Sequence, residues 1–204
     1  MVMWPYILAG IVALLAITWW YLHRDPERKD PHFDGFISPV SGVVVDIIER
    51  APKQQSQKIK KGEHGITAFF DDFPDGKTIV VVMMKPWHIH TQRMPIPGRI
   101  VRREYKKGLK LNAVFGDYRK ATVENEHVAY TIQGAHRCKV YAIAGLLARR
   151  VKPIASLGET LPQSARISKI TFGSQVAVVL PKSTLLVRVG ETVVDGVTPF
   201  ARVA

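Results

Sequence analysis

The sequence predicts a mainly β domain with a few short helices, placed behind a single N-terminal transmembrane helix. Three observations predict it. Short runs rich in Val and Ile recur along the chain between Gly and Pro turn signals. Long amphipathic stretches of helical period are scarce. The first 22 residues carry no charged side chain, although the whole chain has a formal net charge of +12. With an anchor set aside, the rest of the 204 residues suffices for one domain with a real core.

The opening segment is almost continuously apolar from Tyr6 to Tyr21, and Pro5 sits where the first turn of a helix accepts it. Trp4 and Tyr6 mark one end and Trp19, Trp20 and Tyr21 the other, as two aromatic belts would. At about 1.5 Å per residue, some 18 residues just cross a hydrocarbon core of about 30 Å. A signal peptide would need a basic start and small residues at a cleavage site. Aromatic bulk stands there instead, so residues 1–22 read as a retained anchor. Arg24, Arg28 and Lys29 follow it, which by the positive-inside rule places the globular part in the cytoplasm, at the cell membrane. Residues 23–36 read as a juxtamembrane linker and 37–204 as the folded domain. A pI near 10 calls for a polyanionic partner. Behind a spanning segment, that partner is an anionic membrane surface rather than nucleic acid. Cys138 is the only cysteine, so no intrachain disulfide forms, in keeping with a reducing compartment.

Strands are expected at Gly42–Ile48, Ile66–Phe70, Thr78–Met84, Arg99–Tyr105, His127–Ile132, Lys139–Ile143, Lys169–Leu180, Leu185–Val189 and Thr198–Val203. Gln54–Glu63, with its lysines and glutamines, reads as an exposed loop, and Leu146–Val151 as either helical or extended. A loose repeat runs through Pro39-Val-Ser-Gly-Val-Val44, Pro95-Ile-Pro-Gly-Arg-Ile100 and the Gly190–Phe200 segment. Each resembles the turn-strand unit of biotinyl/lipoyl-type domains, which implies a barrel-sandwich-hybrid-like fold.

Chemistry concentrates at Gly173-Ser174, within Ile170-Thr-Phe-Gly-Ser-Gln175 and ahead of the apolar run Val176–Leu180. Gly has no Cβ to block attack and tolerates strained backbone, so a suitably held Ser hydroxyl can reach the preceding carbonyl. Displacement of the amide nitrogen gives an ester, elimination leaves dehydroalanine, and hydrolysis yields a pyruvoyl group capping a new chain. Taken alone, a Gly-Ser pair is also an ordinary turn.

The surroundings decide between these readings. Tyr21-Leu-His-Arg-Asp-Pro-Glu-Arg28, Ser38-Pro-Val-Ser-Gly-Val-Val44, the Pro86–Gly98 segment, Tyr105-Lys-Lys-Gly108 with Asn112-Ala113, Glu124-Asn-Glu126, Ile143-Ala-Gly-Leu-Leu-Ala-Arg-Arg150 and Phe172-Gly-Ser174 follow one another along the chain. In that order they resemble the FFRDPxR, SPADGxV, PLDVHVNRAPVDG, YxxGxFxNA, NE(R), IAGxxARR and FGSR segments of the short form of the phosphatidylserine decarboxylase family, whose archaeal-lipid counterpart is archaetidylserine decarboxylase. The resemblance implies a pyruvoyl-dependent decarboxylase that turns a serine-headgroup phospholipid, ester- or ether-linked, into the ethanolamine lipid after self-cleavage between 173 and 174. A pyruvoyl carbonyl does the electron-withdrawing work that pyridoxal phosphate does elsewhere. The protein then has to supply an acid near the reacting carbon, donors for the carbonyl and a cation for phosphate.

On this reading Gly173 and Ser174 form the processing site. His90, matching the His of VHVNR, is the candidate acid, because imidazole exchanges protons near neutral pH. A histidine satisfied within a strand is the plainer reading. His88 and His90 fall on one face of a strand. Their spacing also suits zinc, but no carboxylate follows closely and the family needs no metal, so none is expected. Arg93, Arg149 and Arg150 can fork onto phosphate, with a solvated face as the alternative for the last two. Asn125 is a candidate polar orienter. Four departures stand out: Ser41 replaces the Asp of SPADG, Gln175 the Arg after the serine, Ser168-Lys169 a Gly-Met, and Ala142 a Gln. That Asp is implicated in preparing the serine, so Ser41 and His88 become the candidates for the processing base. An aspartate restored at position 41 is expected to speed cleavage.

Two other functions fit parts of the chain. One is a non-catalytic, membrane-anchored homologue that binds acidic lipid or a partner protein, favoured by the missing Asp and opposed by the intact Gly-Ser, His90 and Asn125. The other is a lipoyl-type carrier or efflux adaptor with Lys85 as its attachment lysine, opposed by Pro86 and by the lack of a coiled-coil hairpin. A homo-oligomer stays open.

Overall fold

The computed structural model of the chain describes residues 4–50, 66–112, 116–146, 150–170 and 174–203. The Gln54–Glu63 loop lies outside them, as do residues 147–149 of the Leu146–Val151 piece. Helix α1, Trp4–His23, has no buried residue and is long and apolar enough to cross a membrane. Its 20 residues reach about 30 Å, the thickness of a hydrocarbon core.

The rest is mainly β. The elements in chain order are β1 (Phe36–Ile37), β2 (Gly42–Glu49), α2 (Ala68–Asp72), β3 (Thr78–Met84), β4 (Thr91–Arg93), β5 (Gly98–Lys106), α3 (Tyr118–Glu124), β6 (His127–Gln133) and β7 (Arg137–Ile143). They continue with β8 (Val151–Pro153), β9 (Thr160–Leu161), β10 (Arg166–Ile170), β11 (Ser174–Leu180), β12 (Ser183–Leu185), β13 (Thr192–Val193) and β14 (Pro199–Val203). An eight-stranded antiparallel sheet has the order β13-β2-β3-β11-β7-β6-β5-β9. Two three-stranded sheets, β1-β14-β12 and β4-β10-β8, accompany it, and none of the three closes into a barrel.

Burial follows position in the large sheet. Central β3 and β11 are buried at every residue, which explains why Val80–Met84 and Val176–Leu180 are apolar without interruption. Near the edge, β2 alternates and β5 is mostly exposed. One face packs Val82, Val176, Val178, Val140 and Tyr130 into the main core, and the other packs Val81, Ala177, Val179 and Tyr141 under α2.

Helix α2 corrects the strand expected at Ile66–Phe70. Ile66, Phe69, Phe70 and Phe73 recur with helical spacing, and all four are buried against the sheet, Phe69 stacking on Tyr141 at 4.1 Å. Each buried aromatic is worth about 1.5–3 kcal/mol, more than the strand preference of so short a run. The continuous strand expected at Lys169–Leu180 is instead two, β10 and β11, in different sheets. The piece expected at Leu185–Val189 pairs only as far as Leu185. Helix α3 was not expected; Asp117 caps it, accepting from the Arg119 and Lys120 N–H groups.

Candidate active site

Ser174 is the first residue of β11, and register fixes what surrounds it. It pairs with Met84, the last residue of β3, while Gln175 pairs with Ile143, the last of β7. Ile143 pairs with His127, the first of β6, and His127 with Lys106, the last of β5. Ser174 thus lies at the end of the large sheet where β3, β5 and β7 finish. Successive side chains of a strand alternate faces. The Ser174 hydroxyl donates to Met84 Sδ at 3.8 Å on the main-core face, and the Gln175 amide accepts from Thr122 Oγ1 at 2.8 Å on the other. Ser174 is fully buried. Gly173 lies outside the described residues.

His90 precedes β4, and its carbonyl accepts from the Ile170 N–H at 2.9 Å and from Gln92 Nε2 at 2.8 Å. The same Gln92 amide lies 4.0 Å from Met84 Sδ, the sulfur that receives the Ser174 hydroxyl, and Gln92 Oε1 accepts from Ser168 Oγ at 2.8 Å. A continuous buried chain, Ser174–Met84–Gln92–His90, therefore joins the serine to the histidine's backbone. Burial pushes the His90 imidazole down to about 4, against a hydrogen bond with the His88 backbone and helped by nearby His88, Lys169 and His23. It is neutral at pH 7. A group in that state starts as a proton acceptor, and it donates only after it has taken a proton. His88 is half-buried. Its Nδ1 accepts from the Lys85 N–H at 3.0 Å, and burial, then Lys85 and Arg24, lower its pKa.

Arg93 is 1 % exposed and donates four hydrogen bonds: to Asp195 Oδ2 at 2.6 Å, to the Ser164 carbonyl, to Asp25 Oδ1 and to the Pro26 carbonyl. Asp195, also buried, accepts in addition from Arg28 Nη2 at 3.0 Å and from Ser41 Oγ at 2.5 Å. Arg166 completes the network on Asp25 and Glu27. A Cβ on neighbouring Gly196 (φ +68°) would stand 2.8 Å from Arg93 Cδ, so glycine permits this close approach. The fork expected to hold substrate phosphate is thus committed to protein groups. Asp25 to Arg28, expected in a linker, are pinned to the sheets by the same bonds.

The other expected residues scatter. Asn125 caps the C-terminal end of α3, and its side chain is spent on the Leu111 N–H and carbonyl, away from any free donor role. Arg150 is exposed and lines a cavity of about 470 Å³ with Lys107, Lys110 and Glu126. Arg149 lies outside the described residues. Sequence reasoning missed Gln92, Met84 and Asp195. Gln92 and Met84 carried no signal beyond their places beside His90 and Lys85. Asp195 lay in the repeat segment but far in sequence from its partners.

Position 174 fits a carbonyl group generated in place: it is fully buried and held between β3 and β7. The site end also meets the helix exit. Arg24 donates to the Trp87 carbonyl at 2.9 Å and Lys169 to the His23 carbonyl at 3.3 Å.

Comparison with known proteins agrees with this arrangement. The phosphatidylserine decarboxylase family profile matches residues 16–201. The chain is 32 % identical over 198 residues to a phosphatidylserine decarboxylase proenzyme of Symbiobacterium thermophilum, covering 96 % of this chain and 83 % of the relative. It is 34 % identical to that of Ruegeria pomeroyi (96 % and 83 %) and 35 % identical to that of Erythrobacter litoralis (98 % and 76 %). With nearly its whole length matched and its β architecture in place around Ser174, the chain belongs to the phosphatidylserine decarboxylase family, a family of decarboxylases.

Proposed function

We propose that this protein is a pyruvoyl-dependent decarboxylase of a serine-headgroup phospholipid, made as a precursor that cleaves itself between Gly173 and Ser174. The observation that carries the reading is the fully buried Ser174 at the start of β11, joined through Met84 and Gln92 to the backbone carbonyl of buried His90. In the cleavage, Ser174 Oγ gives up its proton and bonds to the Gly173 carbonyl carbon, the C–N bond breaks, and the departing nitrogen takes up a proton to become an amine. Elimination then leaves Gly173 as a carboxylate and residue 174 as dehydroalanine, and water releases ammonia to give the pyruvoyl cap. Neutral His90 takes the proton from the Ser174 hydroxyl, and that role suits its low pKa better than a standing acid. The imidazolium so formed returns that proton to the departing nitrogen, leaving His90 neutral again.

A pyruvoyl group at position 174 supplies an electron-withdrawing carbonyl as carbon dioxide leaves. This chain's own residues do the rest. Pairing of β11 with β3 and β7 retains the 174–204 tail after cleavage. Gln92 holds the His90 backbone, and the buried layer excludes water. Arg93 acts as a positioning residue: its ion network fixes β4, which follows His90 directly. Residues 1–22 anchor the enzyme, residues 23–36 join the anchor to the catalytic domain, and Arg24, Arg28 and Lys29 place that domain on the cytoplasmic side. Mass analysis under denaturing conditions tests the reading. Wild type should give chains 1–173 and 174–204, the second with a pyruvoyl in place of Ser174, and should release carbon dioxide from phosphatidylserine. Ser174→Ala should give one uncut, inactive chain. A wild type of full-length mass only would favour the non-catalytic homologue that Ser41 suggests.

A further inference from the structure

The end of the large sheet that carries Ser174 also gathers an exposed surface that the proposed chemistry does not use. Trp87, in the turn after β3, is 52 % exposed; Leu109, after β5, is 52 % exposed; Leu146, after β7, is 54 % exposed. The register places the ends of β3, β5 and β7 level with one another, so these three apolar side chains project from loops at one end of the sheet. Interleaved with them are Lys107, Lys110 and Arg150, which line the 470 Å³ cavity against a single acid, Glu126. Large apolar side chains among cations are the pattern of a surface that dips into headgroups while its charges meet acidic lipid.

The helix exit names the occupant. The Arg24 guanidinium, one residue after α1, donates to the Trp87 carbonyl, so the Trp87 loop begins where the apolar helix stops. The Lys85 ammonium lies 5.5 Å from the Trp87 ring centroid, adding a cation on the same loop. The chain's +12 charge complements an anionic surface.

We propose that this end of the sheet is the membrane-facing surface of the catalytic domain. Trp87, Leu109 and Leu146 enter the interface, and the Lys107/Lys110/Arg150 groove receives acidic lipid headgroups at the same end of the sheet as Ser174. The inference rests on the lipid-decarboxylase reading and specifies how that site meets its substrate phase. Each basic residue near an anionic bilayer adds about fivefold in affinity, and the attraction fades once salt shortens the screening length to about 3 Å near 1 M.

The full-length chain allows a direct test, because Trp4, Trp19 and Trp20 all lie in α1 and their replacement by Phe leaves Trp87 as the only tryptophan. This variant is reconstituted into vesicles of phosphatidylcholine with phosphatidylglycerol, with and without brominated acyl chains. Trp87 emission should shift to the blue and be quenched by the brominated chains. Lys107→Glu/Lys110→Glu/Arg150→Glu or 1 M salt should relieve most of that quenching. Unquenched, red-shifted emission overturns the proposal. Blue-shifted but unquenched emission also overturns it, in favour of a second copy or another protein covering the face. Quenching indifferent to both salt and charge reversal removes the groove from the interface. Cleavage at 173/174, read by mass on the same samples, judges the enzyme reading separately: a cut protein with unquenched Trp87 sinks only the surface, and an uncut one with quenched Trp87 sinks only the chemistry.

Discussion

Asp195→Ala strikes the centre of the network that joins the juxtamembrane segment to the sheets. Its carboxylate is fully buried and accepts from Arg93 Nε at 2.6 Å, Arg28 Nη2 at 3.0 Å and Ser41 Oγ at 2.5 Å. Removing it leaves the Arg93 guanidinium in the core with half-buried Asp25 as its remaining ionic partner. Breaking a buried pair from one side costs about 3–5 kcal/mol, whereas exchanging both partners for apolar groups of similar size is often neutral. The Arg28 contact adds less, because that side chain keeps contact with solvent. For a domain of this size each kcal/mol lowers the melting temperature by about 2–4 °C, so a loss of about 6–20 °C is expected. Thermal unfolding by circular dichroism in detergent micelles reads it, in a Ser174→Ala background that keeps one covalent species. Asp195→Leu combined with Arg93→Met should melt higher than Asp195→Ala alone. A shift of about 2 °C or less for Asp195→Ala, or a double variant worse than the single one, would refute the idea that this buried pair holds β4 and the helix exit together.

Other outcomes follow from the same geometry. His90→Gln should slow precursor conversion and turnover by about 10²–10⁴-fold, and near-normal rates in a protein that still cuts itself would remove His90 from the chemistry. Because the buried His90 imidazole sits at about 4 in the folded chain and 6.5 when exposed, its unfolded form takes up the proton first as pH falls. Stability is therefore complete above about pH 6.5 and declines by about 3 kcal/mol on the way to pH 4, a loss that urea titrations should find blunted in His90→Phe. Ser41→Asp, which the sequence alone favours as an accelerator of cleavage, would place a second carboxylate against Asp195 Oδ1. Processing should slow and then recover when Asp195→Ser removes the clash, and faster cleavage by Ser41→Asp alone would contradict this.

The large sheet was legible because its central strands are buried on both faces and advertise it locally. The expected Thr78–Met84 coincides with β3, and the expectations for β2, β5, β6 and β7 err by two residues or fewer at each end. Helix α2 was misread because four aromatic or aliphatic residues in eight satisfy both a short strand and a helix face, and only the sheet beneath Phe69 and Phe73 decides. The site divides in the same way. Ser174 and His90 were found through their own residue types and neighbours. The commitment of Arg93 to Asp195 and Asp25 was not, because partners 102 and 68 residues away leave no local pattern. Gln175 illustrates the same limit: its bonds to Thr122 Oγ1 and the Tyr118 carbonyl explain why an amide suits that position, and α3, which supplies them, was itself unforeseen.

The network changes how α1 bears on the proposed chemistry. A flexible stretch after α1 would let the domain wander over many ångströms relative to the bilayer. Instead the chain is held at four successive points: His23 by Lys169, Arg24 at Trp87, Asp25 by Arg93 and Arg166, and Arg28 at Asp195. Three of these partners lie in the layer that contains His90 or next to it: Lys169 pairs with Thr91 across β10 and β4, Arg93 ends β4, and Trp87 lies three residues before His90. The end of α1 and the histidine are therefore parts of one packed unit. A lipid substrate stays in the bilayer with only its headgroup accessible, so an enzyme acting on it gains by fixing the height of its reacting residue above the interface. On the proposed lipid-decarboxylase reading, the bonds between residues 23–28 and the sheets do more than stabilise the fold: they would set where Ser174 stands relative to the plane from which the headgroup is presented.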